Sequence, residues 1–255
     1  VKSDLAVKAS YATMNQYVHL LSTSGVGLPT DLWVPATDLV KPQNSQQLAA
    51  GIAKDFNKQN LSLTVEGYYK TMNNIIGYKE GASFLAIQES DEGLESISWE
   101  DNVTSGTGVS YGAEVLLQRK QGKLTGWAGY TLSWTTQQFD ELNNGEKFFA
   151  RYDRRHDISL VGIYEFSDNI TLSATWVYGT GNAITLPIST YQISEMSSVN
   201  SPGRNNFYWA NGTEYTARND FRMRAYHRAD IGVQVTKEKK KGIRTWEFSA
   251  YNFYN

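Results

Sequence analysis

The chain has 255 residues, with 24 lysines and arginines against 26 acidic residues, no cysteine and 40% hydrophobic residues. The formal net charge of −2 argues against electrostatic binding to nucleic acid, because such binding needs a basic face that displaces counterions from phosphates. The lack of cysteine excludes a disulfide scaffold and a thiolate metal site. Five prolines and the apolar content argue against disorder. No apolar run approaches the ~18 residues that a membrane-spanning helix needs.

Hydrophobic residues recur with a period of two rather than 3.6, which indicates strands. Between Leu124 and Trp134, for example, leucine, alanine and aromatic residues largely alternate with threonine, glycine and serine. Successive side chains of a strand point to opposite faces, so each such segment has one apolar and one polar face. Nine strands are predicted in this way, near residues 4–12, 46–57, 60–72, 109–120, 123–137, 153–166, 169–180, 226–237 and 242–254.

The connections between the strands alternate between short and long. The short connections contain Gly, Asn or Asp, which suit tight turns, and they lie at 57–60, 120–123, 166–169 and 237–242. The long connections lie at 13–45, 73–108, 138–152 and 181–225. A compact soluble domain rarely carries loops longer than ~15 residues. A transmembrane β-barrel joins strands of ~9–11 residues by short periplasmic turns and long outer loops. The sequence therefore predicts an all-β fold, a transmembrane antiparallel β-barrel.

Aromatic residues mark both ends of the apolar face. The aromatic residues near the long loops are Tyr11, Tyr69, Trp134 and Tyr178. Those near the short turns are Phe56, Phe166 and Trp246. Two aromatic belts around an apolar band are typical of a barrel in a membrane. Lys54 and Arg244 fall on the same face, but both lie close to a short turn, where a long cationic side chain can reach the headgroups. The alternative is a soluble carbohydrate-binding β-sandwich with an aromatic inner face.

An odd number of strands has a consequence for the extent of the chain. Single-chain bacterial barrels have even strand numbers, and an open sheet would expose two unpaired edges to lipid. Residues 1–255 are therefore expected to be a fragment, a partial barrel domain that lacks the early strands and the last strand.

Four stretches of the sequence resemble the TonB-dependent outer-membrane receptors. They are Leu28–Thr37 with Lys41–Gln43, Tyr111–Leu117, Ala150–Leu160 and Thr175–Ala183. They follow the order of the family and resemble the C-terminal portion of its barrel. The resemblance implies active uptake of a scarce solute through the bacterial outer membrane, the cargo being a siderophore, a cobalamin, a glycan or a peptide. It also implies a plug domain and a TonB-type energy-transducing partner that contacts the missing N-terminal part, and it leaves a surface lipoprotein partner open.

The polar faces of the strands would line the barrel lumen. The residues predicted to face the lumen are Glu66, Lys70, Glu114, Asp157, Asp230 and Glu247. In a receptor of the family that the sequence resembles, these residues would also face the plug. A hydrated, hydrogen-bonding wall would let a plug interface form without apolar adhesion. In a soluble protein the same face would simply be solvated.

Two of the long loops carry candidates for ligand contact. The predicted ligand-binding residues are Asp31, Trp33, Arg204, Tyr208, Trp209 and Arg218. Aromatic faces suit sugars, haem-like rings and catecholates alike, and arginine can supply bidentate donors to an anionic cargo. The alternative, in which these loops pack on one another, is at least as well supported by the sequence.

The sequence contains no arrangement that indicates covalent chemistry. His19, His156 and His227 lie in separate segments without metal-ligand spacing. We therefore expect no enzymatic activity, no cofactor and no nucleic-acid partner. A passive porin or adhesin barrel remains a second alternative, and it would have neither a plug nor a TonB-interacting segment.

Overall fold

A computed structural model describes residues 4–21, 32–80, 82, 87–90, 93–96, 98–197, 206–215 and 217–254. Its strands, in chain order, are β1 Leu5–Gln16, β2 Val18–Leu21, β3 Leu32–Pro35, β4 Gln43–Phe56, β5 Leu61–Tyr78, β6 Ile87–Ser90, β7 Gly93–Ser96, β8 Val103–Arg119, β9 Leu124–Phe139, β10 Phe148–Phe149, β11 His156–Ser167, β12 Ile170–Gly179, β13 Ala183–Ile184, β14 Pro187–Ser197, β15 Asn206–Tyr215, β16 Phe221–Arg222, β17 Tyr226–Lys239 and β18 Gly242–Ala250. Two short 3₁₀ helices cover Trp99–Asn102 and Asn143–Gly145. The described residues include no helix with the length and apolarity that a membrane crossing requires.

Nine long strands form one antiparallel sheet in the order β1-β4-β5-β8-β9-β11-β12-β17-β18, and β10 pairs with the outer part of β9. Each strand of this order corresponds to one of the nine predicted strands. Consecutive strands along the sheet are neighbours in space, which is the meander expected for a barrel wall. Among the described residues, β1 and β18 each pair along one edge only. The predicted all-β antiparallel barrel fold is confirmed.

The strand bounds differ from prediction mainly at the ends that lead into long loops. β5 continues to Tyr78 and β8 begins at Val103, because a bulge at Asn74 (φ 56°) absorbs one residue and lets the ladder continue. The bulge interrupts the alternation of apolar and polar residues, and for this reason the strand predicted from the sequence ended at residue 72. β18 stops at Ala250, where Asn252 (φ 51°) turns the chain and the Phe253 amide donates to the Ala229 carbonyl.

The predicted alternation of short and long connections is confirmed, but the first two long connections are shorter than predicted, at 17–42 and 79–102. Tight turns join β4 to β5, β8 to β9, β11 to β12 and β17 to β18. Asn60 and Gly122 supply the positive φ angles in the first two of these turns. The long connections are partly ordered, since they contain the hairpins β2–β3, β6–β7 and β14–β15 and the pair β13–β16.

The strand register separates a polar from an apolar face. Glu66 stands opposite Gly51 and Glu114, and Glu114 stands opposite Thr131, which pairs with Asp157. The antiparallel register continues from β11 through β12 and β17 to β18. All six residues predicted to face the lumen therefore lie on the same face of the sheet. The other face carries large exposed apolar side chains; Val7, Ile52 and Phe248 are 76%, 51% and 62% exposed. An apolar face of this extent suits contact with lipid.

Three of the four residues predicted for the outer aromatic belt share one cross-strand row, whereas Tyr178 pairs with Ile158 and lies outside it. Tyr11 pairs with Leu48, and the row continues through Tyr69 and Tyr111 to Trp134. The rings of Tyr111 and Trp134 are stacked with centroids 5.3 Å apart. At the opposite ends of the strands Phe56, Phe166 and Trp246 are exposed, as expected for the inner belt.

Two clusters of buried apolar residues lie at the outer end of the sheet and not between two sheets. One cluster gathers Leu21, Val34, Val40, Tyr78 and Val103 beneath the β2–β3 hairpin. A second cluster on the polar face joins strand and loop residues: Met72, Ile75, Phe139, Leu142 and Phe148. In the described part of the chain no second sheet covers the apolar face, which disfavours the soluble sandwich.

Candidate functional site

The outer loops are fixed to the sheet by a buried carboxylate. The side chain of Asp153 is fully buried and accepts a hydrogen bond of 2.5 Å from the Thr135 amide. It pairs directly with Arg222, and the guanidinium of Arg155 lies 3.5 Å away. A buried charge needs such partners because an unpaired one would be strongly disfavoured. The predicted strand 153–166 begins only at His156, since Asp153 and Arg155 take part in this cluster instead.

Aromatic rings surround the two guanidinium groups of this cluster. Arg155 lies 4.5 Å from the ring centroid of Trp134 and 5.4 Å from that of Phe149. Arg222 lies 4.7 Å from the Phe149 centroid and donates a 2.6 Å hydrogen bond to the Asp153 carbonyl. Burial lowers the pKa of Arg155; the charge of Asp153 opposes this shift and that of Arg222 adds to it. We refer to Asp153, Arg155, Arg222 and Phe149 as the rim cluster.

A second contact ties the 180–225 connection to the same rim. Asn219 is buried and adopts a positive φ of 54°, a conformation that asparagine tolerates better than most residues. Its amide donates to the Thr185 hydroxyl oxygen at 3.0 Å, and its Nδ2 donates to the Phe149 carbonyl at 2.8 Å. These bonds hold the loop beside the polar face of the sheet.

Below these loops lies a cavity of about 340 Å³ on the polar face, within the usual range of ligand pockets. Its wall combines apolar residues of the second buried cluster with polar side chains. The polar lining residues are Gln16, His19, Gln43, Lys70, Gln137, Arg151, Tyr152, Arg218 and Asn219. Strands β1, β4, β5 and β9 contribute side chains to one wall, and the loops contribute the other.

The cavity is cationic. Lys70, Arg151 and Arg218 line it, and no described lining residue is a carboxylate. The guanidinium of Arg218 lies 5.4 Å from the centroid of Phe148, and its amide donates to Asn143 Oδ1 at 2.9 Å. Burial lowers the pKa of Arg218, an effect that the nearby charge of Glu80 partly offsets. Arginine stays protonated at physiological pH, so the cavity favours an anion.

His19 borders the cavity with unsatisfied ring nitrogens. The side chain is 2% exposed, and neither ring nitrogen has a hydrogen-bond partner among the described residues. Burial lowers the pKa of His19, and the backbone of Lys41 opposes this shift only in part. The ring is therefore neutral at pH 7 and offers one donor and one acceptor.

The burial of His19 predicts a pH dependence of the β2–β3 hairpin. Because its pKa is lowered in the folded protein, the stability that the neutral ring contributes is fully present above the ordinary histidine pKa of about 6.5. That stability is lost as the pH falls below this value. Hydrogen-exchange protection factors of the β2 and β3 amides should therefore drop in mild acid. The drop should be absent in His19→Phe, and an equal drop in that variant would contradict the assignment.

The structure places the predicted ligand residues unevenly. Arg218 lines the cavity. Trp33 lies on β3, is 64% exposed and does not line the cavity. Tyr208 and Trp209 belong to β15, but the positions of their side chains lie outside the described part, as do Asp31 and Arg204 entirely. Their role in ligand contact stays a prediction.

The residues predicted to face the lumen also divide into groups. Lys70 lines the cavity, whereas Glu66, Asp157 and Asp230 do not line it and pair with Lys8, Arg154 and Arg228 at 3.9, 2.9 and 3.0 Å. Contact of this face with a plug stays a prediction.

Sequence reasoning missed several residues of the site. Arg151, Tyr152, Asp153 and Asn219 were not predicted as site residues. The run from Arg151 to Arg155 holds four charges in five positions, which is the available signal, but such a run usually indicates a solvated surface.

The fold is that of part of the barrel wall of outer-membrane receptors. The sequence matches no protein-family model and no curated protein sequence. Three solved structures are similar to the chain: the ferric-catecholate import receptor Fiu from E. coli K12 (16% identity, TM-score 0.55), the ferripyoverdine receptor of the outer membrane of Pseudomonas aeruginosa (12%, 0.57) and the FrpB iron transporter from Neisseria meningitidis (11%, 0.54). They are TonB-dependent receptors. The comparison therefore confirms, at the level of the fold, the resemblance seen in the sequence.

The matches cover nearly all of this chain and a minor share of each receptor. They include 100%, 100% and 99% of the chain and 29%, 28% and 33% of the Fiu, ferripyoverdine-receptor and FrpB chains. The chain thus spans about a third or less of the receptors that it resembles.

Proposed function

We propose that this chain is part of the barrel of a TonB-dependent receptor in a bacterial outer membrane, and that the cationic cavity binds an anionic solute for uptake. The observation that carries the proposal is the cavity itself: three cations, a neutral imidazole and several amides on the polar face, at the end where the long loops converge. Nothing in this arrangement requires covalent chemistry, so the proposed activity is transport and not catalysis.

The exposed apolar face supports the membrane location, and the two aromatic belts support its orientation with the long loops outside. The single-sided pairing of β1 and β18 supports a barrel that further strands close, because lipid does not tolerate open sheet edges. On this proposal residues 1–255 are a partial barrel domain. Outer-membrane lipid, an upstream plug and a TonB-type energy-transducing protein are its partners.

For the cargo class we propose a ferric siderophore. The similar structures are named for ferric-catecholate import, for ferripyoverdine and for iron transport. Catecholate and hydroxamate oxygens around iron present a negatively charged, partly aromatic surface. Lys70 and Arg218 suit the charge of such a ligand, and Tyr152 and Phe148, which also line the cavity, suit its rings.

Removal of the cavity cations tests this proposal. In the full-length receptor, Lys70→Gln and Arg218→Gln should each weaken binding of a ferric tris-catecholate probe about tenfold, since a hydrogen bond to a charged group contributes ~1.5–3 kcal/mol. Binding is measured by quenching of tryptophan fluorescence in detergent. Lys147→Gln is the matched control, because Lys147 is exposed on an outer loop and does not line the cavity. Equal affinities of all three variants and the wild type would contradict the assignment of the site.

A further inference from the structure

The apolar face contains a groove that the uptake function does not use. It has a volume of about 620 Å³ and lies over β8, β9, β11, β12 and β17. Its floor is a row of small residues that are cross-strand neighbours: Gly126 pairs with Gly162, and Gly162 pairs with Ala174. A side chain built on Gly162 would meet nothing within 4 Å, so the groove is open space at this point.

Larger side chains form the sides of the groove. Leu117, Leu160 and Trp176 occupy the adjacent row toward the outer end of the strands. Leu124 borders the groove toward the short turns. The floor crosses β8, β9, β11 and β12. Extended to β17, the groove spans four inter-strand spacings of ~4.8 Å, or about 19 Å. A long, narrow, apolar guest matches this shape.

One end of the groove is cationic. Arg119 pairs with Gly126 and so continues the floor row at its β8 end. It is exposed, and no ion pair of Arg119 is found among the described residues. The adjoining turn adds Lys120 and Lys123 and contains no acidic residue. Asp230, the other charged residue at the margin, belongs to the polar face and pairs with Arg228 at 3.0 Å.

We propose that this groove binds one anionic glycerophospholipid of the inner leaflet. An acyl chain lies along the floor over Gly162 and Ala174, and the phosphate lies against Arg119 beside the periplasmic turn. The charge at one end and the apolar length behind it are complementary to a lipid with an anionic headgroup, and a cation near the membrane surface attracts such lipids. The proposal rests on the membrane orientation proposed above, in which the short turns face the periplasm.

Two variants test the headgroup and the acyl chain separately, each with a matched control. Arg119→Gln removes the headgroup cation, and Arg244→Gln removes a cation on the same face and rim that does not line the groove. Gly162→Leu fills the floor. Gly67→Leu makes the same change on the same face outside the groove, where the added Cβ would meet only an ordinary contact of 3.7 Å.

The full-length receptor is reconstituted in nanodiscs of phosphatidylcholine with a minor fraction of phosphatidylglycerol and examined by native mass spectrometry. We expect the wild type to retain one phosphatidylglycerol. Retention should fall about fivefold in Arg119→Gln, the loss expected for one cation near a membrane surface, and it should disappear in Gly162→Leu. The two controls should retain the lipid as the wild type does.

Several results would overturn the proposal. The first is equal retention of both lipids by the wild type. The second is unchanged lipid retention in Gly162→Leu, or an equal loss of lipid in Gly67→Leu. The third is a wild-type dimer that Gly162→Leu dissociates, because it would assign the groove to a second protein copy. Heat-modifiable migration in SDS gels reports assembly independently of lipid retention. Loss of assembly in the wild type would contradict the membrane function itself, whereas an assembled receptor without lipid selectivity would contradict this inference alone.

Discussion

Replacement of Asp153 by Asn is expected to release the outer loops from the barrel rim. The substitution keeps the size of the side chain but leaves the guanidinium groups of Arg155 and Arg222 without their shared anion. Breaking a buried ion pair from one side costs ~3–5 kcal/mol. We expect the lower end of this range, because the two arginine side chains keep 22% and 32% of their surface exposed.

The loss should be local and not global, since Asp153 precedes β11 and contacts β9 beyond the outermost β9–β11 pair, Leu132 with His156. Protease cleavage within residues 180–225 should accelerate in Asp153→Asn, while the barrel still shows heat-modifiable migration. Asp157→Asn is the control: its partner Arg154 and Asp157 itself are more than 40% exposed, so its loss should cost at most ~1 kcal/mol. Equal cleavage rates in the two variants would show that the rim cluster does not anchor the loop.

Replacement of Ala128 by Arg is expected to oppose insertion into a bilayer by ~2–4 kcal/mol, the cost of a cation near the midplane on the lipid-facing side. Ala128 lies on the apolar face of β9 between Leu117 and Leu160, several residues from either aromatic belt. From this depth a side chain reaches the headgroups poorly. The free energy of folding into vesicles of defined lipid measures the effect.

The matched variant is Thr131→Arg. Thr131 pairs with Glu114 and Asp157 on the polar face of the same strand, so the new cation would meet two carboxylates and water. We expect little change in the free energy of insertion. Similar costs for the two substitutions would remove the assignment of the apolar face to lipid, whatever the cargo.

Much of the fold could be predicted from the sequence because one physical rule dominates it. A sheet with an apolar environment on one side and water on the other requires alternation along every strand, and this alternation predicted the nine strands. The rule fails where loop residues cover both faces of the sheet. The continuation of β5 beyond Asn74 and of β8 before Val109 lost the period of two, because a bulge shifts the faces and loop residues cover both sides.

The candidate site was predicted only in part, and for a different reason. Lys70 follows from alternation and Arg218 from its position in an arginine-bearing loop. The rim cluster joins Asp153 to Arg222 across 69 positions, and no local pattern encodes a contact of that separation. Asn219 likewise acquires its role from Thr185 and Phe149, which only the folded loops bring close.

The bulge at Asn74 lets β5 continue past the row of Tyr69 and into the wall of the cavity. Lys70 and Met72 before the bulge, and Ile75 and Ile76 after it, all line the cavity. On the proposed membrane location, only the part of β5 that precedes this segment has to satisfy the bilayer. Changes of cargo could then accumulate from Lys70 onward without a compensating change in the membrane-spanning part, so that one barrel wall is inherited intact while its mouth diversifies.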